Sequence, residues 1–190
     1  MVLDEVKKMR RKQFIVTNAL LLTFIIIYFL IIPNLNVTSE QFFLILGMIL
    51  LIQAIFGFSR ANTTKSFFSI FEQVAIYEKE KMGIEWKKQR KMNSLWILIT
   101  SGLMFLQAYL NRGLTGKVLQ IDFRFMFIMF LFVVVLTNIS LILHVRKVDR
   151  SRTELDMKGY TYKSNVMAII FGICSGIVFI VFSIFYLLKW

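Results

Sequence analysis

The chain has 190 residues, 57% of them apolar, and a soluble domain of this size could not bury so much apolar surface in one core. Its net charge of +12 raises the question of nucleic-acid binding, but the basic residues flank apolar segments, so we expect no nucleic-acid partner. A single cysteine, Cys174, and a single histidine, His144, exclude an intramolecular disulfide and limit metal chemistry, and we expect no cofactor or metal.

Five apolar segments without charged residues predict five membrane-spanning helices, because a helix needs about 20 such residues to cross the hydrocarbon core. They cover residues 14–32, 42–58, 95–110, 125–143 and 166–188. A membrane barrel would instead alternate polar and apolar residues in segments of about ten, and this alternation is missing. The sequence therefore predicts an all-α fold, a polytopic transmembrane helical bundle that forms one integral membrane domain over residues 1–190.

The distribution of Lys and Arg predicts the orientation of this bundle, since basic segments tend to stay in the cytoplasm. The N-terminal tail carries five of them, residues 59–93 carry eight and residues 144–165 carry six, while the other side has four. We therefore expect the N-terminus inside, the C-terminus outside and two cytoplasmic loops, 59–93 and 144–165. The richness in Ile, Phe, Lys and Asn is typical of low-GC bacteria and suggests a multi-pass protein of the bacterial cytoplasmic membrane.

The first cytoplasmic loop contains a stripe of apolar residues at helical spacing, formed by Phe67, Phe71, Val74 and Tyr77. Such a stripe predicts an amphipathic helix that lies on the inner membrane surface and ends near Gly83. This helix would either dock a membrane or cytoplasmic protein partner or bind only the lipid bilayer.

A cluster of basic residues with one tryptophan follows this stripe and continues past the fourth span. Its members are Trp86, Lys87, Lys88, Arg90, Lys91, Arg146, Lys147, Arg150 and Arg152. Together they would bind anionic lipid headgroups, each contributing about 1 kcal/mol, or they would only set the topology.

Polar residues recur at one depth within four of the spans, roughly 6 to 9 Å from the cytoplasmic ends at 1.5 Å per residue. They are Asn18, Gln53, Thr100, Ser101 and Asn138. Such a polar intramembrane layer would line a cavity for a solute, a peptide or a lipid headgroup, or it would supply hydrogen bonds between packed helices.

The fifth span carries a small-residue stripe, Ala168, Gly172 and Gly176, spaced by four residues. Small residues let helix backbones approach closely, so the stripe predicts helix packing, either within the bundle or in a homo-oligomer.

Motifs for enzymatic chemistry are missing, and no charged residue within the spans marks an ion path. We expect no enzyme. The profile favours a non-enzymatic protein that acts through interaction, as an accessory, regulatory or immunity-type subunit of a membrane assembly. The alternative is a small oligomeric transporter or channel for a solute, peptide or lipid that uses the polar layer.

Overall fold

A computed structural model describes residues 3–31, 37–113 and 123–188 of the chain. The described residues form six α-helices and no β-strand, which confirms the predicted all-α class. The helices are α1 Leu3–Ile31, α2 Ser39–Ser59, α3 Ser69–Met82, α4 Ile84–Leu110, α5 Phe123–Arg150 and α6 Tyr160–Leu188. A 3-10 helix, Glu154–Met157, lies between α5 and α6.

Five of these helices, α1, α2, α4, α5 and α6, are long and apolar enough to cross a membrane. They correspond to the five predicted spans and indicate a multi-pass membrane protein. Position 32, the last of the first predicted span, lies outside the described residues. Four of the helices extend well beyond the predicted spans at the end that carries α3, because the apolar runs stop at charged or polar residues while the helical backbone continues through them.

The long helices associate in two groups that meet around a central space. In the first group α2 packs along α4, where Ser101 Oγ donates a hydrogen bond of 2.8 Å to the carbonyl oxygen of Gly47, and α6 also contacts α4. In the second group α1 packs against α5. Helix α3 contacts α1, α4 and α5 at one end of the bundle and thereby joins the two groups. We call this end the α3 end.

A small apolar core at the α3 end holds α3 in place. Its buried members come from α1, α3, α4, α5 and the 3-10 helix: Met9, Val74, Ala75, Tyr77, Met82, Trp86, Val148 and Met157. Gly83 is the single residue between α3 and α4 and has a positive φ of 54°, a conformation that favours glycine. The tight connection turns the apolar face of α3 toward the protein.

Candidate functional site

A cavity of about 1320 Å³ lies between the two groups of helices, in the half of the bundle nearer to α3. All six helices contribute to its wall. Its volume exceeds the roughly 300 to 1,000 Å³ that is usual for sites of drug-sized ligands. It is therefore the main candidate for a binding site among the described residues.

Helix α5 shows how the wall of the cavity changes along the bundle axis. The residues that it contributes recur at helical spacing, and include Leu136, Ser140, Leu143, His144 and Lys147. Lys147 and His144 lie at the α3 end, whereas Leu136 lies deepest in the bundle. The charged residues of α5 thus lie at the α3 end of the cavity, and the wall farther along is mostly apolar, with the uncharged Thr137 and Ser140 among its leucines.

Helices α4 and α6 repeat this gradient, because both enter the bundle from the α3 end. On α4, Arg90 precedes Ile97, and on α6, Lys163 precedes Met167 and Phe171. The cavity accordingly has a polar part near α3 and an apolar part farther along the bundle. A molecule with one charged end and one apolar end matches this arrangement.

A buried polar network borders the polar part of the cavity. Arg10 donates to Glu78 at 2.8 Å and to Asp149 at 2.9 Å, and thereby ties α1 to α3 and α5. His144 lies between two partners, with Nε2 at 3.2 Å from Glu78 Oε1 and Nδ1 at 2.8 Å from the Tyr160 hydroxyl. The network therefore joins four helices around one wall of the cavity.

The electrostatics of this network favour an ionised carboxylate at Glu78. Burial by itself raises the pKa of Glu78, but the hydrogen bond with His144 and the charge of Arg10 outweigh it, so the pKa lies below the ordinary value. Glu78 consequently serves as an internal counter-ion, and its charge is already matched within the protein.

The residues of the predicted polar layer separate into two kinds. Asn18 and Asn138 bond each other reciprocally between α1 and α5, at 3.0 and 2.8 Å, and Ser101 bonds α2, so these three lie in helix contacts. Thr100 donates to the carbonyl oxygen of Trp96 within its own helix. Gln53 lies in the cavity wall. The structure therefore brings one member of the layer to the cavity.

The predicted docking stripe is divided between protein contacts and solvent. Val74 and Tyr77 are buried in the core at the α3 end, and Phe71 is half-buried in the cavity wall. Phe67 precedes α3 and is 96% exposed. Part of the apolar face of α3 thus packs on the protein, because α1, α4 and α5 extend far enough to contact it.

The basic cluster also divides between the cavity and the outer surface. Trp86 is buried, and its ring lies 4.9 Å from the Arg90 guanidinium and 5.6 Å from Lys79 Nζ. Arg90 and Lys147 line the cavity. The remaining basic residues are exposed on other faces: Lys87, Lys88, Lys91, Arg146, Arg150 and Arg152. Among these, Lys88 pairs with Glu85 at 2.8 Å.

Within the part of the chain that the structure describes, the small-residue stripe of α6 meets no other helix at its two glycines. A Cβ atom added at Gly172 or Gly176 would have no neighbour within 4 Å. Ala168 and Gly172 line the cavity, and Gly176 does not. Gly172 therefore leaves room on the cavity side of α6, and Gly176 leaves room outside the cavity wall.

The sequence did not point to most residues of the cavity wall; Glu78, Tyr160 and Lys163 are among those it left unnoticed, and it did not place His144 there. Tyr160 and Lys163 share a helical face with Met167 and Phe171, so extending the fifth span toward its N-terminal side would have found them. Glu78 and His144 are separated by 66 residues, and no local pattern predicts their contact.

Within the described part of the chain, no group of three or more His, Cys, Asp or Glu side chains is placed to hold a metal ion. No family model, curated protein or solved structure matches this chain.

Proposed function

We propose that this protein binds a lipid-like amphipathic molecule in the central cavity, as a non-enzymatic membrane protein. The observation that carries the proposal is the gradient along the cavity wall, from Lys147 and His144 at one end to Leu136 at the other. A polar ligand would leave the apolar part unmatched, and a hydrocarbon would leave the charged part unmatched. A molecule with both parts satisfies the whole wall.

The orientation of the bundle follows from the excess of Lys and Arg at the α3 end, which lies in the cytoplasm under this proposal. The polar part of the cavity is then near the cytoplasmic surface. On α5, Lys147 and Leu136 are 11 residues apart, or roughly 16 Å along the helix at 1.5 Å per residue. One leaflet of a bilayer has about half of the 30 Å hydrocarbon thickness. Because the fourth predicted span ends at position 143, roughly 10 Å of this length would lie in the hydrocarbon of the cytoplasmic leaflet and the rest in its headgroup region.

A lipid is one of the three ligands, solute, peptide or lipid, that the sequence allows for a small oligomeric transporter or channel. The accessory-subunit hypothesis stays a prediction. Because Val74 and Tyr77 are buried in the core, the apolar surface of α3 that a partner could contact is smaller than the sequence suggested. Phe67 is the residue of the predicted stripe that a partner would reach most easily.

A matched pair of variants on α6 tests the proposed cavity ligand. Gly172→Phe places a ring in the cavity, whereas Gly176→Phe places the same ring one turn farther along the helix, outside the cavity wall. Neither position has a neighbour within 4 Å of an added Cβ, so both variants should fold. The readout is native mass spectrometry of the protein released from a mild detergent after incubation with dioleoyl phosphatidylglycerol.

We expect the parent protein and Gly176→Phe to retain one lipid molecule at activation energies that strip bulk detergent. Gly172→Phe should lose most of this lipid, because the ring occupies the space of an acyl chain. Equal lipid retention by all three proteins, or no retention by the parent protein, would overturn the proposal.

A further inference from the structure

Three basic side chains line the polar part of the cavity: Arg90 on α4, Lys147 on α5 and Lys163 on α6. None of them forms an ion pair with a carboxylate of the described residues. Glu78 is the one carboxylate in the described wall, and Arg10 already pairs with it at 2.8 Å. Among the described residues, the three cations of the polar part therefore lack a carboxylate within ion-pair distance.

Two hydrogen bonds set the level of these three cations along the bundle. The Tyr160 hydroxyl lies 2.8 Å from His144 Nδ1 and joins α6 to α5. The Thr161 amide donates to the Glu85 carboxylate at 3.0 Å and joins α6 to α4. Measured from the Tyr160 junction at 1.5 Å per residue, Lys163 lies roughly 5 Å and Arg90 roughly 9 Å farther into the bundle, whereas Lys147 lies roughly 5 Å toward the α3 end. Because the Cα–Cβ bonds of a helix tilt toward its N-terminus, the side chains of Arg90 and Lys163 lean toward Lys147, and that of Lys147 leans toward them.

Arg90 is held in place for recognition of an anion. Its guanidinium lies 4.9 Å from the centre of the buried Trp86 ring, a distance typical of a cation–π contact. The N–H groups of a guanidinium are five hydrogen-bond donors in a fixed fork. A planar set of N–H donors matches the oxygens of a phosphate in a bidentate manner.

We propose that the cavity selects a phospholipid whose headgroup has a net negative charge, with its phosphate among Arg90, Lys147 and Lys163. The inference rests on the proposed function and narrows its ligand. A zwitterionic headgroup would bring an ammonium group among three cations, so it is disfavoured. The apolar part of the wall, which includes Leu136 and Phe171, holds the acyl chains.

The test compares two double variants that remove the same charge. Lys147→Gln with Lys163→Gln removes two cations from the cavity wall. Lys87→Gln with Arg146→Gln removes two exposed cations on other faces of α4 and α5. Each protein is titrated with dioleoyl phosphatidylglycerol and, separately, with dioleoyl phosphatidylcholine, and the retained lipid is counted by native mass spectrometry.

We expect the parent protein and the control double variant to prefer phosphatidylglycerol over phosphatidylcholine. The cavity double variant should bind phosphatidylglycerol roughly 25-fold more weakly, from the usual contribution of two basic residues near anionic lipid. Millimolar inorganic phosphate should not displace the lipid, because a free phosphate lacks the chains that fill the apolar part.

Three results would overturn the inference: equal binding of the two lipids by the parent protein, equal losses in the two double variants, or displacement by inorganic phosphate. If the two lipids bind equally and Gly172→Phe still abolishes binding, only the headgroup assignment fails. If neither lipid is retained by the parent protein, the proposed function fails with it.

Discussion

The ion pair between Arg10 and Glu78 should be the main polar contribution to the attachment of α3. Glu78→Gln keeps the shape of the side chain and removes its charge. The side chains of Arg10 and Glu78 are only 6% and 12% exposed, so Arg10 would keep a largely buried charge. Removing one partner of a buried ion pair costs about 3 to 5 kcal/mol.

Two features of the site reduce this cost. Arg10 retains Asp149 at 2.9 Å and Gln13 at 2.9 Å, and the new amide oxygen can still accept a hydrogen bond. We therefore expect Glu78→Gln to lower the free energy of unfolding by about 2 to 3 kcal/mol. Glu80→Gln is the matched control, because Glu80 is exposed on the same helix.

The assay is equilibrium unfolding in mixed micelles with a rising fraction of sodium dodecyl sulfate, followed by far-ultraviolet circular dichroism. The pKa of Glu78 is lowered in the folded protein, so the unfolded chain takes up the proton more readily. The stabilisation is present above the ordinary value of 4.5 and is lost as the pH falls from there through the lower folded value. The free energy of unfolding of Glu78→Gln should therefore fall less than that of the parent protein as the pH is lowered through this range.

A result in which Glu78→Gln and Glu80→Gln unfold at the same detergent fraction would refute the reasoning. So would an unchanged pH dependence in Glu78→Gln. Either result would mean that the ion pair with Arg10 adds nothing to the stability of the folded protein.

Two further predictions concern helix packing. Gly47→Val should destabilise the contact of α2 with α4 by about 1 to 3 kcal/mol, because a Cβ at this position lies 3.0 Å from the Phe105 ring. Gly102→Val is the control in the same unfolding assay and should cost less, because an added Cβ there has open space. Asn138→Leu should cost about 0.6 to 2 kcal/mol by leaving Asn18 without its amide partner, and adding Asn18→Leu should restore part of the loss. Equal effects of the two glycine changes, or strictly additive effects of the two leucine changes, would contradict these predictions.

The number of long helices could be predicted from the sequence because it depends on local properties. An apolar run of sufficient length must form a helix in lipid wherever its neighbours lie, since its backbone has no other hydrogen-bond partners. The apolar runs do not give the ends of the helices. The fourth predicted span ends at 143, before His144 and Arg146, whereas the α5 backbone continues to Arg150.

The existence of α3 could also be predicted, but its surroundings could not. The spacing of Phe71, Val74 and Tyr77 is the same for a helix on lipid and for a helix on protein. Which surface covers this stripe depends on how far α1, α4 and α5 extend past the predicted spans. That extension is a property of the folded bundle.

The polar layer illustrates the same division. The depth of a residue along a helix follows from counting residues, and this count predicts that Asn18 and Asn138 lie at one level. In the structure two hydrogen bonds join these two residues. Counting does not give the rotation of each helix about its axis. Gln53 shares this depth and lies in the cavity wall instead.

The sequence by itself determined that the chain is all-helical, with five helices long and apolar enough for a membrane, because these properties follow from runs of adjacent residues. Only the tertiary structure decided where the charges meet. Arg10 and Asp149 are 139 residues apart in the chain and 2.9 Å apart in the bundle. The cavity arises in the same way, from the separation of two groups of helices, and no single segment carries its pattern.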